Sequence, residues 1–309
     1  MKTKVYQELK KLFPKIRFDI SLKNHTTFRI GGRAKYFFKA KTKEDLILAV
    51  KAAKKFNLPF YILGGGSKLL ISDKGFNGLI IKVQHSGFEV QNCRIFAQAG
   101  LSIEQLTKIA SKNSLSGLEW AAGIPGTVGG AIRGNAGAFG KSMKDIVKKV
   151  EVFDVKKQKR IIVKNKDCKF SYRNSIFKKN PNLIILSCEV QFKKGNRKKS
   201  EKEMKGYVNY RKKFHPLDFP SVGSIFENPR IGKGLRKKKV QTLPAGKLIA
   251  ECGLSGKRIG GVKISKKHSN FIINVKNGKA KDVKKLIRLT KKKVKEKFGI
   301  ILKEELQYL

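Results

Sequence analysis

The chain has 309 residues, 40% of them hydrophobic, enough for two or three domains with a substantial core. Its charge is the outlier: 71 Lys and Arg against 22 Asp and Glu give a net +49. That balance raises a nucleic-acid partner, but the lysines are spread from Lys2 to Lys303 and only 13 basic residues are arginine, whose fork reads bases. We therefore expect no nucleic-acid partner and read the lysine excess as solvated surface with a compositional bias. One run, Arg236 to Lys239, keeps two readings, an anion-binding loop or a solvated one. The four cysteines and four histidines are scattered, with no C-x-x-C, so no metal site and no disulfide framework are expected. The N-terminal segment has charges throughout and no apolar core, and no apolar run approaches a membrane span. These features point to a cytoplasmic protein with no membrane partner.

In chain order, residues 1–12 predict a short amphipathic helix with Val5, Leu9 and Leu12 on one face. Residues 34–40 predict a strand. Thr42 with Asp45 three residues on predicts a capped helix whose apolar face is Leu46, Ala49, Val50 and Ala53. Strands follow at Phe60 to Leu63 and Leu79 to Val83, a β-α-β pattern. A second block has a helix from Ser102 to Ser111 and strands near 149–155, 160–163 and 183–192. The polar stretch Lys193 to Lys205 predicts a connector. The last block predicts a helix in AGKLIAECG with a glycine stop, a strand at Phe271 to Val275 and a helix from Lys281 to Phe298. That helix should bury Val283, Leu286, Ile287 and Val294. The mixture indicates α+β architecture in three blocks, 1–83, 84–198 and 199–309.

Two glycine segments stand out. Gly64, Gly65, Gly66 and Ser67 follow an apolar strand. Between Gly123 and Gly140 the chain reads GIPGTVGGAIRGNAGAFG, with seven glycines among eighteen residues and apolar side chains interleaved. Such a pattern is an ordered backbone that bends tightly and brings main-chain N–H groups close to an anion. The two together suggest a dinucleotide. The first loop follows the second strand of its unit and lacks G-x-G-x-x-G, so this is not a Rossmann fingerprint. Asn24 to Gly32 (NHTTFRIGG) adds hydroxyls, an arginine and a glycine pair just upstream.

Further motifs occur in order along nearly the whole chain: TTFRIGG, YILGGGSKLL, GLEWAAGIPGTVGGAIRGNAGAFG, FSYRNSIF, SVGSIFENP, AGKLIAECGLSGKRIGG, KKHSNFIIN and FGIILKEELQYL. On these the sequence resembles the UDP-N-acetylenolpyruvoylglucosamine reductases, flavoenzymes of peptidoglycan synthesis. The resemblance implies a two-subdomain FAD-binding region of the vanillyl-alcohol-oxidase type, followed by a C-terminal α+β substrate domain. It implies non-covalent FAD, NADPH as co-substrate, a UDP-sugar substrate and a monomer. Gly64, Gly65, Gly66 and Ser67 are then expected along the FAD diphosphate, and Gly123, Pro125, Thr127, Gly129, Gly130 and Ala131 along the flavin. Gly134, Gly137 and Gly140 serve either the flavin or only the turn.

The implied reaction adds a hydride to C3 of an enolpyruvyl ether and a proton to C2. Its transition state carries enolate charge and needs a cation and a proton source. By resemblance Arg173 binds the substrate carboxylate, Ser224 donates the proton to C2 and Glu305 assists the enolate. Asn228 and His268 match positions facing the nucleotide sugar, while Tyr172 is expected to pack. The chain departs from the family pattern at Lys68, where asparagine is usual and a lysine either pairs with phosphate or points away, and at Glu227, where lysine is usual. Lys233, Arg236 or Lys237 are candidates to replace the missing charge. Lys303-Glu304 before the acid leaves the register open between Glu304 and Glu305. No long insertion separates Arg173 from Ser224, as in the shorter, type II form. The competing reading is another flavin oxidase of the same fold acting on a 2-hydroxy acid or sugar, which should lack SVGSIFENP and the C-terminal acid.

Overall fold

A computed structural model describes residues 4–229 and 243–309. Arg236 to Lys239 and Lys233 therefore lie outside the described residues, as does Lys2. The chain forms two compact units that interleave along the sequence: residues 1–20, 34–65 and 77–211, and residues 21–33, 66–76 and 212–309. Each unit has its own apolar core, and the architecture is α+β, as expected.

The first unit opens with helix α1 (Lys4–Leu12). Its buried face is Tyr6 and Leu9, continued by Phe13, while Leu12 is 44% exposed. The expected face is thus shifted, because the partners of this helix are aromatic: Tyr6 packs on Phe18 and Tyr36, and Phe13 on Phe38. The first sheet contains β1 (Arg17–Ser21), β2 (Arg33–Ala40), β3 (Phe60–Leu63) and β5 (Phe76–Val83), in the order β1-β2-β5-β3. Strand β5 separates the two strands of the expected β-α-β pattern and pairs parallel with β3. Helix α2 (Lys43–Lys55) has the complete Thr42–Asp45 capping box and buries the four predicted apolar residues with Ala52; such a cap contributes about 1 kcal/mol.

The second sheet of this unit has β6 (Phe88–Gln91), β7 (Arg94–Gln98), β11 (Val147–Asp154), β12 (Lys159–Lys164) and β13 (Leu183–Gln191), in the order β12-β11-β13-β7-β6. Every pairing in it is antiparallel. Helix α3 (Ile103–Lys112) starts at a second capping box, Ser102 with Gln105. The glycine-rich stretch becomes a loop, the short helix α4 (Val128–Arg133) and a hairpin of β9 (Gly137–Ala138) and β10 (Lys141–Ser142). Helix α5 (Ile176–Lys179) follows β12. The stretch Lys193 to Lys205, read as a connector, instead holds β14 (Lys193–Lys194), paired with β8 (Leu115–Ser116), and the first half of α6 (Arg197–Phe214). Strong helix formers and the Arg197–Glu201 pair one turn apart explain why this lysine-rich segment is helical.

The second unit is built on β15 (Ser221–Ser224), β16 (Arg258–Ile259), β17 (Val262–Ile264) and β18 (Phe271–Asn274), in the order β15-β18-β17-β16. Helix α7 (Ala245–Glu251) and the long α8 (Ala280–Phe298) cover its core, and α8 buries Val283, Leu286, Ile287 and Val294 as its period predicts. The chain end forms β19 (Gln307–Tyr308), which pairs parallel with β4 (Leu69–Leu70). This pairing carries the C-terminal acids to the residues that follow the first glycine turn.

Candidate active site

The two glycine segments meet within the first unit. A Cβ at Gly64 would lie 2.6 Å from the Thr127 hydroxyl oxygen, and one at Gly65 2.6 Å from Gly126 Cα. In the second unit Gly66 has φ +66°, and a Cβ there would lie 2.6 Å or closer to nothing but main chain: 2.4 Å from the His25 carbonyl oxygen. Glycine is needed here because the chain packs on itself in a tight bend. The amide side of the same turn is different. Among the described residues, the backbone N–H groups of Gly65, Gly66 and Ser67 donate no hydrogen bond. Three successive unpaired donors are the natural complement of a diphosphate. The neighbouring Thr27 amide donates to the Gly66 carbonyl at 3.3 Å, and the Thr27 hydroxyl is buried without a partner. An unmatched buried hydroxyl costs about 1–3 kcal/mol. Free amides on a crowded glycine turn, with an unmatched hydroxyl beside it, fit the phosphates of FAD.

The 123–140 stretch is tied down at several points. Thr127 caps α4, and the Val128 and Gly129 amides donate to Leu101 and Ala99 at 2.8 and 2.9 Å. Gly123 and Gly126 have φ of +82° and +129°. Gly123, Pro125 and Gly130 are exposed, Gly129 is half-buried and Ala131 is buried. The far end of the stretch holds the arginine loop. Asn135 donates through Nδ2 to the Ser171 carbonyl at 2.9 Å, and the Ser175 hydroxyl donates to the Arg133 carbonyl at 2.7 Å. Ser171 and Asn174 close a tight turn, leaving Arg173 at φ +54°. A non-glycine residue in that region is uncommon and needs such bracing. The Arg173 guanidinium lies 4.9 Å from the Tyr172 ring centroid, so Tyr172 supports the arginine rather than filling a core.

Ser224 ends β15 in the second unit. The register against β18 shifts between Ser221 and Ser224, and Gly223 has φ +72° in that bulge. A bulge of this kind turns the following side chain out of its regular direction. Asn270 fixes Phe226, two residues on, twice: its Oδ1 accepts the Phe226 N–H and its Nδ2 donates to the Phe226 carbonyl, each at 2.9 Å. The C-terminal segment runs alongside, with the Glu305 amide donating to Ile225 at 2.8 Å and the Glu227 amide to Lys303 at 2.9 Å. Glu304 points to α8, where Lys291 pairs with it at 2.9 Å and the Tyr308 hydroxyl donates to it. Glu305 instead meets Lys68, whose Nζ lies 3.1 Å from Oε1 and also donates to the Ser224 carbonyl at 2.7 Å. The structure thus gathers Ser224 and Glu305 around Lys68 in the second unit, whereas Arg173 belongs to the first.

Asn228 accepts the first amide of α7, that of Ala245, at 3.0 Å. His268 accepts the Asn270 amide on Nδ1 at 3.3 Å and packs against His215 and Phe271. Burial pushes its pKa down, so the ring is neutral near pH 7 and carries its proton on Nε2. Among the described residues there is no group of three or more His, Cys, Asp or Glu able to hold a metal ion. No helix among them is long and apolar enough to cross a membrane. Burial raises the thiols of Cys168 and Cys188 to about 12, which leaves them unreactive.

Comparison with known proteins bears on the same residues. Residues 34–158 match an FAD binding domain, and residues 215–309 match the C-terminal domain of UDP-N-acetylenolpyruvoylglucosamine reductase. A UDP-N-acetylenolpyruvoylglucosamine reductase of Caldanaerobacter subterraneus is 40% identical over 294 residues, covering 95% of this chain and 93% of its own. The chain belongs to the UDP-N-acetylenolpyruvoylglucosamine reductase family. It is an oxidoreductase with an FAD-binding domain. Another member of the family, reductase 2 of Bacillus cereus, is 37% identical over 308 residues, 99% of this chain and 97% of its own. The crystal structure of the Thermus caldophilus reductase superimposes with a TM-score of 0.77 at 30% identity, covering 95% of this chain and 98% of that one.

The sequence reading had no signal for Asn135, Ser175 or Asn270 as supports of the site, because their partners are remote in the chain. It read Lys68 as a departure from the family pattern that either pairs with phosphate or points away, whereas the structure places its ammonium on Glu305 and the Ser224 carbonyl.

Proposed function

We propose that this chain reduces UDP-N-acetylglucosamine enolpyruvate to UDP-N-acetylmuramate at the expense of NADPH, in cytoplasmic synthesis of peptidoglycan precursors, acting as a monomer with FAD bound non-covalently. Residues 1–83 and 84–198 are assigned to the FAD-binding subdomains and 199–309 to the substrate domain. The observation that carries the reading is the meeting of Ser224 and Glu305 around Lys68, in a chain with unpaired amides at Gly65 to Ser67.

FAD, when bound, supplies the hydride that NADPH provides. Gly64 to Ser67 hold its diphosphate through backbone donors, and Gly123, Pro125, Thr127, Gly129, Gly130 and Ala131 line the flavin. Arg173 binds the substrate carboxylate with its planar fork, which draws charge away from the enol ether. Hydride arriving at C3 leaves negative charge shared between C2 and the carboxylate. The Ser224 hydroxyl gives its proton to C2, completing the addition of two hydrogens across the double bond, and recovers a proton from solvent. A serine is a weak acid, so this transfer needs a dry site and a strongly basic C2. Glu305 lies on the neighbouring C-terminal segment, bonded to Ile225, where it acts on the enolate. Asn228 and the Nε2 proton of His268 are assigned to the nucleotide sugar.

The visible spectrum tests the reading. The purified protein should be yellow or become so with FAD, bleach anaerobically with NADPH, and recolour with UDP-N-acetylglucosamine enolpyruvate. A protein that binds no FAD, or whose bleached form is indifferent to the enolpyruvyl sugar, overturns it.

A further inference from the structure

Lys68 stands where three segments of the second unit meet. Its own carbonyl accepts the Gln307 amide at 3.0 Å, and the Glu305 amide is fixed to Ile225 at 2.8 Å. Main-chain bonds therefore hold the roots of both side chains. From there the ammonium reaches the Ser224 carbonyl at 2.7 Å and Glu305 Oε1 at 3.1 Å. A Cβ at Gly223, in the bulge before Ser224, would lie 3.4 Å from the same Nζ. The Glu305 side chain is only 12% exposed and that of Lys68 35%, so the pair is screened on the carboxylate side and open on the amine side.

The chemistry gives this geometry a purpose. A bare carboxylate beside C2 would oppose the negative charge that grows on the enolate. An ammonium at 3.1 Å cancels that charge. Among the described residues, the other charged groups on the two adjoining segments are Glu227, Lys303 and Glu304, and Glu304 is engaged by Lys291 and Tyr308.

Resting on the function proposed above, we propose that Lys68 is a positioning residue for proton delivery and enolate formation: it neutralises Glu305 and fixes that side chain beside the Ser224 turn. The enolate then develops next to a neutral pair.

The test uses FAD-loaded enzyme, reduced in advance, with reoxidation by UDP-N-acetylglucosamine enolpyruvate followed by stopped flow. Lys68→Met should slow reoxidation about tenfold or more, while bleaching by NADPH stays within about twofold of wild type. Lys68→Arg, which keeps the cation, should recover most of the rate. The decisive comparison is Glu305→Gln. It should slow the wild-type enzyme but speed the Lys68→Met enzyme, because there it removes a carboxylate that has lost the Lys68 ammonium. Substrate affinity, read by calorimetry, should reverse in the same sense. If Lys68→Met is insoluble, Lys68→Gln carries the same comparison. Glu305→Gln acting by the same factor in both backgrounds, Lys68→Met as fast as wild type, or Lys68→Arg no faster than Lys68→Met would each overturn the proposal. Wild-type enzyme that the enolpyruvyl sugar fails to reoxidise overturns the function itself, and the role of Lys68 with it.

Discussion

The glycine turns and the Ser224 cluster are built by opposite means. At Gly64 to Ser67 the groups proposed to act are backbone amides, and at Gly64, Gly65 and Gly66 side chains are excluded because Thr127, Gly126 and His25 occupy the places where they would stand. Around Ser224 the groups proposed to act are side chains, carried on segments from Lys68, β15 and the chain end and joined by one ammonium. A site made of backbone tolerates almost no added atoms but is indifferent to which charged residues lie nearby. A site made of side chains tolerates isosteric exchange in its frame but depends on the identity of each group.

The difference can be pressed from both sides. The largest effect should come from Gly66→Ala, which puts a Cβ 2.4 Å from the His25 carbonyl at φ +66°. We expect a loss of about 3 kcal/mol or more in urea unfolding, with loss of the flavin spectrum. A variant that melts and binds FAD like wild type would show that the turn relaxes cheaply. Ser224→Ala changes one oxygen and should leave stability and bleaching by NADPH intact. It should slow reoxidation by the enolpyruvyl sugar about a hundredfold; equal loss in both half-reactions would make Ser224 structural. Asn270→Ala lies between the two kinds of site, since it breaks two buried bonds to the Phe226 backbone. It should cost about 2–3 kcal/mol and slow reoxidation more than reduction. A purely thermodynamic loss, with both half-reactions unchanged, would separate the frame from the chemistry.

The smallest effect concerns pH. Burial lowers the pKa of His85 below the ordinary 6.5, against a weaker opposing bond to the Leu186 carbonyl. The unfolded chain then binds more protons than the folded one between the folded pKa and 6.5. Stability in that window should rise with pH and fall as pH drops below 6.5. His268 acts in the same direction. Urea midpoints between pH 5 and 7 (a range of about two units around the histidine value) check this. His85→Gln should flatten the slope, and an unchanged slope would remove His85 from the account.

Local features were the legible ones. The Thr42 box, the stripe of α8 and both glycine segments depend on residues a few positions apart, and each stands where the pattern placed it. Features that depend on a remote partner were misplaced or missed. The buried face of α1 turned with the aromatic rings of β1 and β2 and with Phe38. β5 entered between strands expected to adjoin. The stretch from Arg197 became a helix despite its charge. Arg173, Ser224 and Glu305 were named through family motifs, and nothing in their own surroundings in sequence marks them as chemical.

By itself, then, the sequence determined the α+β class, the positions where the backbone must turn without side chains, and the family to which the motifs belong. The first two follow from local spacing, which needs no partner, and the third from the resemblance of the motifs. The tertiary structure alone decided which of two adjacent acids meets Lys68. Parallel pairing of β19 with β4 and the Ile225–Glu305 bond set the register. That register turns Glu304 to Lys291 and leaves Glu305 to Lys68. Successive side chains on an extended segment point in opposite directions, so a choice left open in sequence is settled once the strand has a neighbour.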